Sequence, residues 1–390
     1  MDLGLIALIF LVALLGPALS LLTHGAIPAV VGELLAGVIL GKTALRVIDP
    51  EKSDLALLYS LGFATLMFAV GMQVPLHDRR LRPALRSGAV AVALAVPLAL
   101  AAGFATHLVG GGPTLVYAVV LVSSSAAVAL PIIEESRLQG PPILTAMAWI
   151  TIADVLATLA IPLAIRPSRA GHAALGVLIV ALLVALVFAA ANRLRGLDAV
   201  QSMRREGKRR DWAIDLRFAV VVLVGLAFVA QEVGASILVA GFGTGLVVGA
   251  IGGPKRLSRE VLGLGQGFLI PLFFVLLGAK LDLRQLGSDD AVLLAVLLAA
   301  GTIAVHVLVS LAIRAPRAIG LLASAQMGVP AAVIALGLPD HTLDQGQASA
   351  IFCAALVTIA ACAAGSAILR RRGEAGPTQA QSVGQTLPSP

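Results

Sequence analysis

Charge is scarce in this 390-residue chain: 13% of residues are Asp, Glu, Lys or Arg, against roughly a quarter in a soluble domain. So little charge excludes an ordinary water-soluble globule. Cysteine occurs twice, at Cys353 and Cys362 inside the last apolar stretch, which excludes a disulfide framework and a cysteine metal centre. Both read as small core residues. Aromatic residues are only 4% of the chain, while glycine alone accounts for 40 positions. Small residues in that abundance suit helices that pack closely inside a membrane, where hydrophobicity drives little association.

Apolar residues are plentiful, at 59% with a mean hydropathy of +0.98. Apolar runs near the roughly twenty residues needed to cross a bilayer recur along the chain, separated by short polar loops. Strict apolar–polar alternation over about ten residues, the mark of a membrane β-barrel, is missing. The text therefore predicts an all-α membrane protein of about thirteen spans, near 3 to 22, 26 to 40, 54 to 74, 87 to 108, 114 to 133, 141 to 164, 174 to 192, 214 to 230, 235 to 252, 260 to 281, 290 to 313, 318 to 338 and 346 to 369. The first of these lacks the cationic start of a cleaved signal peptide and is expected to stay as a helix.

The net charge of +7 follows topology. With the N-terminus outside, the inner loops and tail hold about 21 Lys and Arg, including Arg79, Arg80, Arg82, Arg86, Arg204, Arg205, Lys208, Arg209 and Arg210, and the outer loops about six. Inner loops need cations, so nucleic acid is not required as a partner. The expectation is a multi-pass protein of the cell's inner membrane, N-terminus outside and C-terminus cytoplasmic. Residues 373–390, rich in Gln, Ser, Pro and Gly, read as a disordered cytoplasmic tail.

The chain also resembles itself. Gly37-Val38-Ile39-Leu40-Gly41 matches Gly245-Leu246-Val247-Val248-Gly249, Phe68-Ala69-Val70-Gly71 matches Val275-Leu276-Leu277-Gly278, and Ser123-Ser124-Ser125 ahead of Pro131 matches Ser324-Ala325-Gln326-Met327-Gly328 ahead of Pro330. The offsets are 208 (Gly37 to Gly245), 207 (Gly71 to Gly278) and 201 (Ser123 to Ser324). Equivalent spans seven apart cross in opposite senses, so two six-helix units joined by one linking helix form inverted repeats. The fifth and twelfth spans are both interrupted by small polar residues and proline. Unwound backbone is tolerated at that depth only when buried in protein or lining a cavity.

Ionisable groups inside a span are costly and mark function by default. Asp154 lies mid-span between Thr151 and Thr158, three and four residues away, so one helical face presents a carboxylate between two hydroxyls. Low dielectric disfavours a charged carboxylate, and a proton and a metal ion then compete for the same oxygens. Ser123, Ser124, Ser125 and Gln326 offer further oxygens. His306 carries two readings, a neutral imidazole bonded to a carbonyl or a titrating partner of Asp154. Glu33 reads as a structural acid that ties its helix to a neighbour. Lys280, at the outer end of its span, is a second candidate charge partner and is expected to snorkel to the interface.

These segments resemble the bacterial monovalent cation:proton antiporter superfamily, in particular its Kef-type and NapA-like sodium/hydrogen exchanger branch. The likeness rests on Ile27-Pro28-Ala29-Val30-Val31-Gly32-Glu33-Leu34-Leu35-Ala36-Gly37, Leu66-Met67-Phe68-Ala69-Val70-Gly71, Ser123-Ser124-Ser125, Ala153-Asp154 and Pro271-Leu272-Phe273-Phe274-Val275, and covers nearly the whole span region. It implies a membrane domain over 1–372 with an NhaA-like fold containing two crossed discontinuous helices. It further implies a homodimer in which core helices, about 87–164 and 290–369, move against dimerisation helices, about 3–74 and 214–281, with 174–192 as the linking helix.

On that resemblance Asp154 is the ion-binding acid that transiently holds Na+ or K+, and Ser123 to Ser125 form the unwound segment. Two features depart from the electrogenic members: Ala153 stands where many carry a second acid, and Val305-His306 where they carry a lysine. One carboxylate points to electroneutral exchange. No nucleotide-binding regulatory domain is expected after the last span. The chain reads as a transporter and not an enzyme, with no cofactor beyond the transported ion and proton. An organic-anion or bile-acid symporter of related architecture and a non-transporting sensor remain the rival expectations.

Overall fold

The computed structural model describes residues 3–23, 28–50, 52–73, 82–167, 170–194, 196–210, 212, 214–232, 237–250, 263, 265–287 and 289–371. The expected tail at 373–390 and the basic positions Arg79 and Arg80 lie outside the described residues.

Among the described residues every regular segment is helical. In chain order these are α1 (Leu3–Ala13), α2 (Leu15–Leu22), α3 (Ala29–Leu40), α4 (Ser53–Gln73), α5 (Arg82–Gly110), α6 (Thr114–Val122), α7 (Ala126–Glu135), α8 (Pro141–Ile165) and α9 (Ala170–Leu194), then α10 (Asp198–Arg209), α11 (Ile214–Glu232), α12 (Ile237–Ala250), α13 (Ile270–Lys280), α14 (Asp289–Ala312), α15 (Arg317–Ala323), α16 (Gly328–Gly337) and α17 (Gln345–Arg371). In hydrocarbon a helix satisfies every backbone donor and acceptor within its own segment, so apolar runs of this length take no other form.

A helix lies in each expected window, although part of the window at 260 to 281 lies outside the described residues. Among the described residues six helical stretches are long and apolar enough to cross a membrane: Leu3–Leu22, Asp54–Met72, Ala84–Gly110, Pro141–Ile165, Asp289–Ala312 and Gln345–Arg371. The pair α15 and α16 makes a seventh if counted as one span, bent by 41° at its break, and five further apolar helices are shorter. One element was not anticipated: the loop carrying the basic run folds as the twelve-residue helix α10.

The helices pack in two groups. α3 packs on α2 and α13, while α12 packs on α4, α9 and α11. In the second group α5 contacts α6, α8 and α14, α17 contacts α14 and α15, and α8 contacts α6, α15 and α16.

The sequence repeat reappears as packing. A Cβ on Gly37 would strike the backbone carbonyl of Val275, and one on Gly245 would strike that of Phe68. A Cβ on Gly278 would strike the carbonyl of Leu34, and one on Gly71 that of Phe242. Adding the repeat offset of 207 or 208 to Phe68, Leu34, Gly37 and Gly71 gives Val275, Phe242, Gly245 and Gly278, so the α3–α13 contact and the α12–α4 contact are the same contact made twice. Glycine serves here because only a missing side chain lets two helix backbones approach so closely.

Candidate functional site

Two helix interruptions lie against each other inside the second group. The first, Ser123 to Ser125, separates α6 from α7, and Ser123 adopts an extended backbone (φ −70°, ψ 150°). The second, Ser324 to Met327, separates α15 from α16. Each begins with a serine that turns back on its own helix: Ser123 Oγ donates to the Val120 carbonyl at 2.8 Å, and Ser324 Oγ donates to the Leu321 carbonyl, also at 2.8 Å. Serine competes in this way with regular helical bonding, which is why the winding stops at these residues.

The interruptions satisfy one another's freed backbone. Ser125 N–H donates to the Ala325 carbonyl at 2.7 Å, and Ser124 Oγ donates to the Ala323 carbonyl at 2.6 Å. The Gln326 amide donates to the Val120 carbonyl and lies 3.3 Å from both the Ser123 carbonyl and Thr302 Oγ1. Buried backbone polar groups must find partners, and here each break supplies them to the other.

Asp154 reaches the first break from α8. Its Oδ2 accepts the backbone N–H of Ala126 at 3.0 Å, the first residue of α7. A carboxylate at a helix N-terminus is held by an orphan donor and by the positive end of the helix dipole. The Asp154 side chain is 6% exposed, and Thr151 and Thr158 on the same helix are buried with it. Thr151 Oγ1 and Gln326 Oε1 are buried without a hydrogen-bond partner among the described residues. Both are oxygens with free lone pairs, Thr151 three residues before Asp154 on α8 and Gln326 in the second interruption.

His306 does not pair with Asp154. Its Nδ1 lies 2.9 Å from the Thr302 carbonyl, its Nε2 lies 3.2 Å from Ser124 Oγ, and its ring stacks on Trp149 of α8 at 5.3 Å between centroids. A carbonyl only accepts, so Nδ1 carries a proton. With Nδ1 protonated, the neutral ring leaves Nε2 as an acceptor, and the single Ser124 hydroxyl proton serves either Nε2 or the Ala323 carbonyl. The imidazole therefore competes with a bond between the two interruptions.

Glu33 and Lys280 lie elsewhere. Glu33 sits on α3 at its closest approach to α2, where a Cβ on Gly16 would fall 2.8 Å from Glu33 Cγ. The Glu33 Oε2 is buried with no hydrogen-bond partner among the described residues, so the expected tie is a packing contact. Lys280 is buried at 9% exposure instead of snorkelling outward. Its ammonium lies over the Tyr59 ring, 4.8 Å from the centroid, in the wall of a cavity of about 490 Å³ shared with Arg166 and Asp340. Those two form an ion pair between the end of α8 and the segment after α16, and the Asp340 carboxylate raises the affinity of the Arg166 guanidinium for its proton.

Thr302 and Trp149 were not expected in the site. The spacing of Thr302, one turn before His306, was the available signal. Trp149 offered none, since a tryptophan in an apolar helix reads first as packing.

The family model for the transmembrane sodium/hydrogen exchanger matches residues 7–371. The chain belongs to the sodium/hydrogen exchanger family. It is 27% identical over 308 residues to YjbQ of Bacillus subtilis, a protein named for Na+/H+ antiport, covering 74% of the chain and 49% of YjbQ. It is 23% identical to the Na+/H+-K+ antiporter GerN of Bacillus cereus, covering 67% of each. The chain spans about half the length of YjbQ and 37% of the Na+/H+ antiporter NhaS5 of Synechocystis. Its fold is that of the sodium proton antiporter MjNhaP1 of Methanocaldococcus jannaschii, with a TM-score of 0.61 at 15% identity, covering 96% of this chain and 99% of that one.

Proposed function

We propose that this exchanger swaps protons for Na+ or K+ across the inner membrane by alternating access, with Asp154 holding the proton and the cation in turn. The reading is carried by one observation: the buried Asp154 carboxylate caps the helix that restarts after the first interruption. A carboxylate there exchanges ligands without a second acid. Thr151 Oγ1 and Gln326 Oε1 supply neutral oxygens of the kind a hard monovalent cation takes.

About thirteen crossings, N-terminus outside, carry the chain, and α6–α7 and α15–α16 act as two crossed discontinuous spans. The group of α5 to α8 and α14 to α17 is the moving core. The glycine-locked contacts of α3, α4, α12 and α13 belong to the static part, which pairs in a homodimer. Ala153 beside Asp154 leaves one titrating carboxylate, so one proton exchanges for one cation and the cycle carries no net charge.

The test is cation-driven proton flux in proteoliposomes. The Asp154→Asn variant is expected to lose exchange with Na+ and with K+ while keeping the helical content and melting temperature of the parent. Undiminished flux in that variant would overturn the assignment.

A further inference from the structure

The exchange site makes no use of α10, the most strongly amphipathic of the described helices and one of the few with little apolar text. It joins the ends of the apolar helices α9 and α11. From Arg193 to Trp212 the sequence holds seven basic residues against three acidic ones. Gly207 seats it: that residue is buried against the start of α11, where a Cβ would fall 2.5 Å from Ile214 Cδ1. α10 is thus held close along the end of a membrane helix and does not project away from it.

The rest of its surface is of mixed character. Leu197, Met203 and Trp212 are about half exposed, at 51%, 50% and 45%. Arg205 is also exposed, and the Arg209 and Arg210 side chains are 82% and 60% exposed. Glu206 bridges back to Arg209 at 3.7 Å and to Arg210 at 2.5 Å. The Arg210 guanidinium lies over the Trp212 ring, 5.2 Å from its centroid. A short helix with exposed apolar and cationic groups side by side, ended by a half-exposed tryptophan, lies in the plane of a membrane surface. Tryptophan prefers the headgroup level, and clustered Lys and Arg on an amphipathic helix recruit anionic lipid.

We infer that α10 is an anionic-phospholipid site, at which Arg205 and Arg209 hold lipid phosphates of the inner leaflet while Trp212 enters the headgroup layer. The occupant is lipid and not a soluble anion, because the half-exposed apolar groups at the site gain nothing from a free phosphate. The inference uses the proposed orientation but not the exchange chemistry, and it stands or falls without Asp154.

The chain has two tryptophans, and Trp149 is fully buried, so quenching of tryptophan emission by brominated lipid reports on Trp212. The full-length protein is reconstituted in phosphatidylcholine vesicles with a minor fraction of phosphatidylglycerol, bromine being carried by one lipid or the other at equal mole fraction. Bromine on phosphatidylglycerol is expected to quench several-fold more strongly. That preference is expected to fall by roughly five-fold for each of Arg205→Gln and Arg209→Gln, to vanish near 1 M salt, where charges are screened within about 3 Å, and to disappear with Trp212→Phe. Both arginines are exposed, so the variants are expected to melt with the parent. Equal quenching by the two lipids, or a preference untouched by both arginine substitutions, overturns the proposal. Quenching by neither lipid, with tight capture of inorganic phosphate or nucleic acid, overturns it as well.

Discussion

At the scale of single residues the site is an exchange of hydrogen bonds between groups that cannot reach water. Gln326 shows this most clearly. Its amide serves the Val120 carbonyl, near the Ser123 carbonyl and Thr302, and Gln326→Leu would strip those acceptors of their donor. An unsatisfied buried polar group costs about 1–3 kcal/mol, so this variant is expected to unfold at measurably lower temperature or denaturant, checked by thermal melting in detergent. His306→Ala removes the imidazole that competes for the Ser124 proton and leaves Ser124 bonded to Ala323 at every pH. The expected result is exchange whose pH profile differs from that of the parent. A superimposable profile would make the imidazole a packing residue only. Asp154 and His306 were both conspicuous in the sequence as ionisable groups in apolar text. That they do not bond to each other was not, because helical spacing within α8 and α14 says nothing of how those helices face.

At the scale of elements, the interruptions and the glycine contacts are the parts that matter. The serine runs marked where winding stops, and their matching offset from the second interruption marked the repeat. The sequence could not give the pairing of the breaks, Ser125 N–H to Ala325 and Ser124 to Ala323, since those bonds join residues some two hundred positions apart. The glycine contacts make a sharper prediction. Gly37→Ala and Gly245→Ala place a methyl group against a backbone carbonyl in two equivalent contacts, α3 on α13 and α12 on α4. Overpacking of this kind costs typically 1–3 kcal/mol, about the same at both sites. Equal losses of melting temperature are expected, and a loss at one site alone would show that the two contacts are not equivalent. Helix α10 escaped the reading altogether, because a basic loop and a basic surface helix share one composition.

At the scale of the whole molecule, two packed groups of helices share few contacts across a boundary lined by a cavity of about 490 Å³, and the proposed exchange site lies wholly within one of them. This arrangement suits a core that carries its ion as a unit. With a single carboxylate as carrier, the initial rate of cation-driven proton flux is expected to be the same with and without an imposed membrane potential. A rate that follows the voltage would require a second charge to cross with the ion.

The amino-acid sequence alone determined that this chain is helical, that it belongs in lipid, and that it is built from two related halves, because solvent preference and local winding are properties of composition and near neighbours. It also singled out Asp154, since a carboxylate in such text has few structural excuses. Tertiary structure alone decided the partners. It set Asp154 on the Ala126 amide, His306 on Ser124 and Thr302, and Lys280 on Tyr59, and left Glu33 against Gly16. Each of these contacts joins different helices except the bond within α14 from His306 to Thr302, and the angle at which two helices meet depends on the shape of both surfaces.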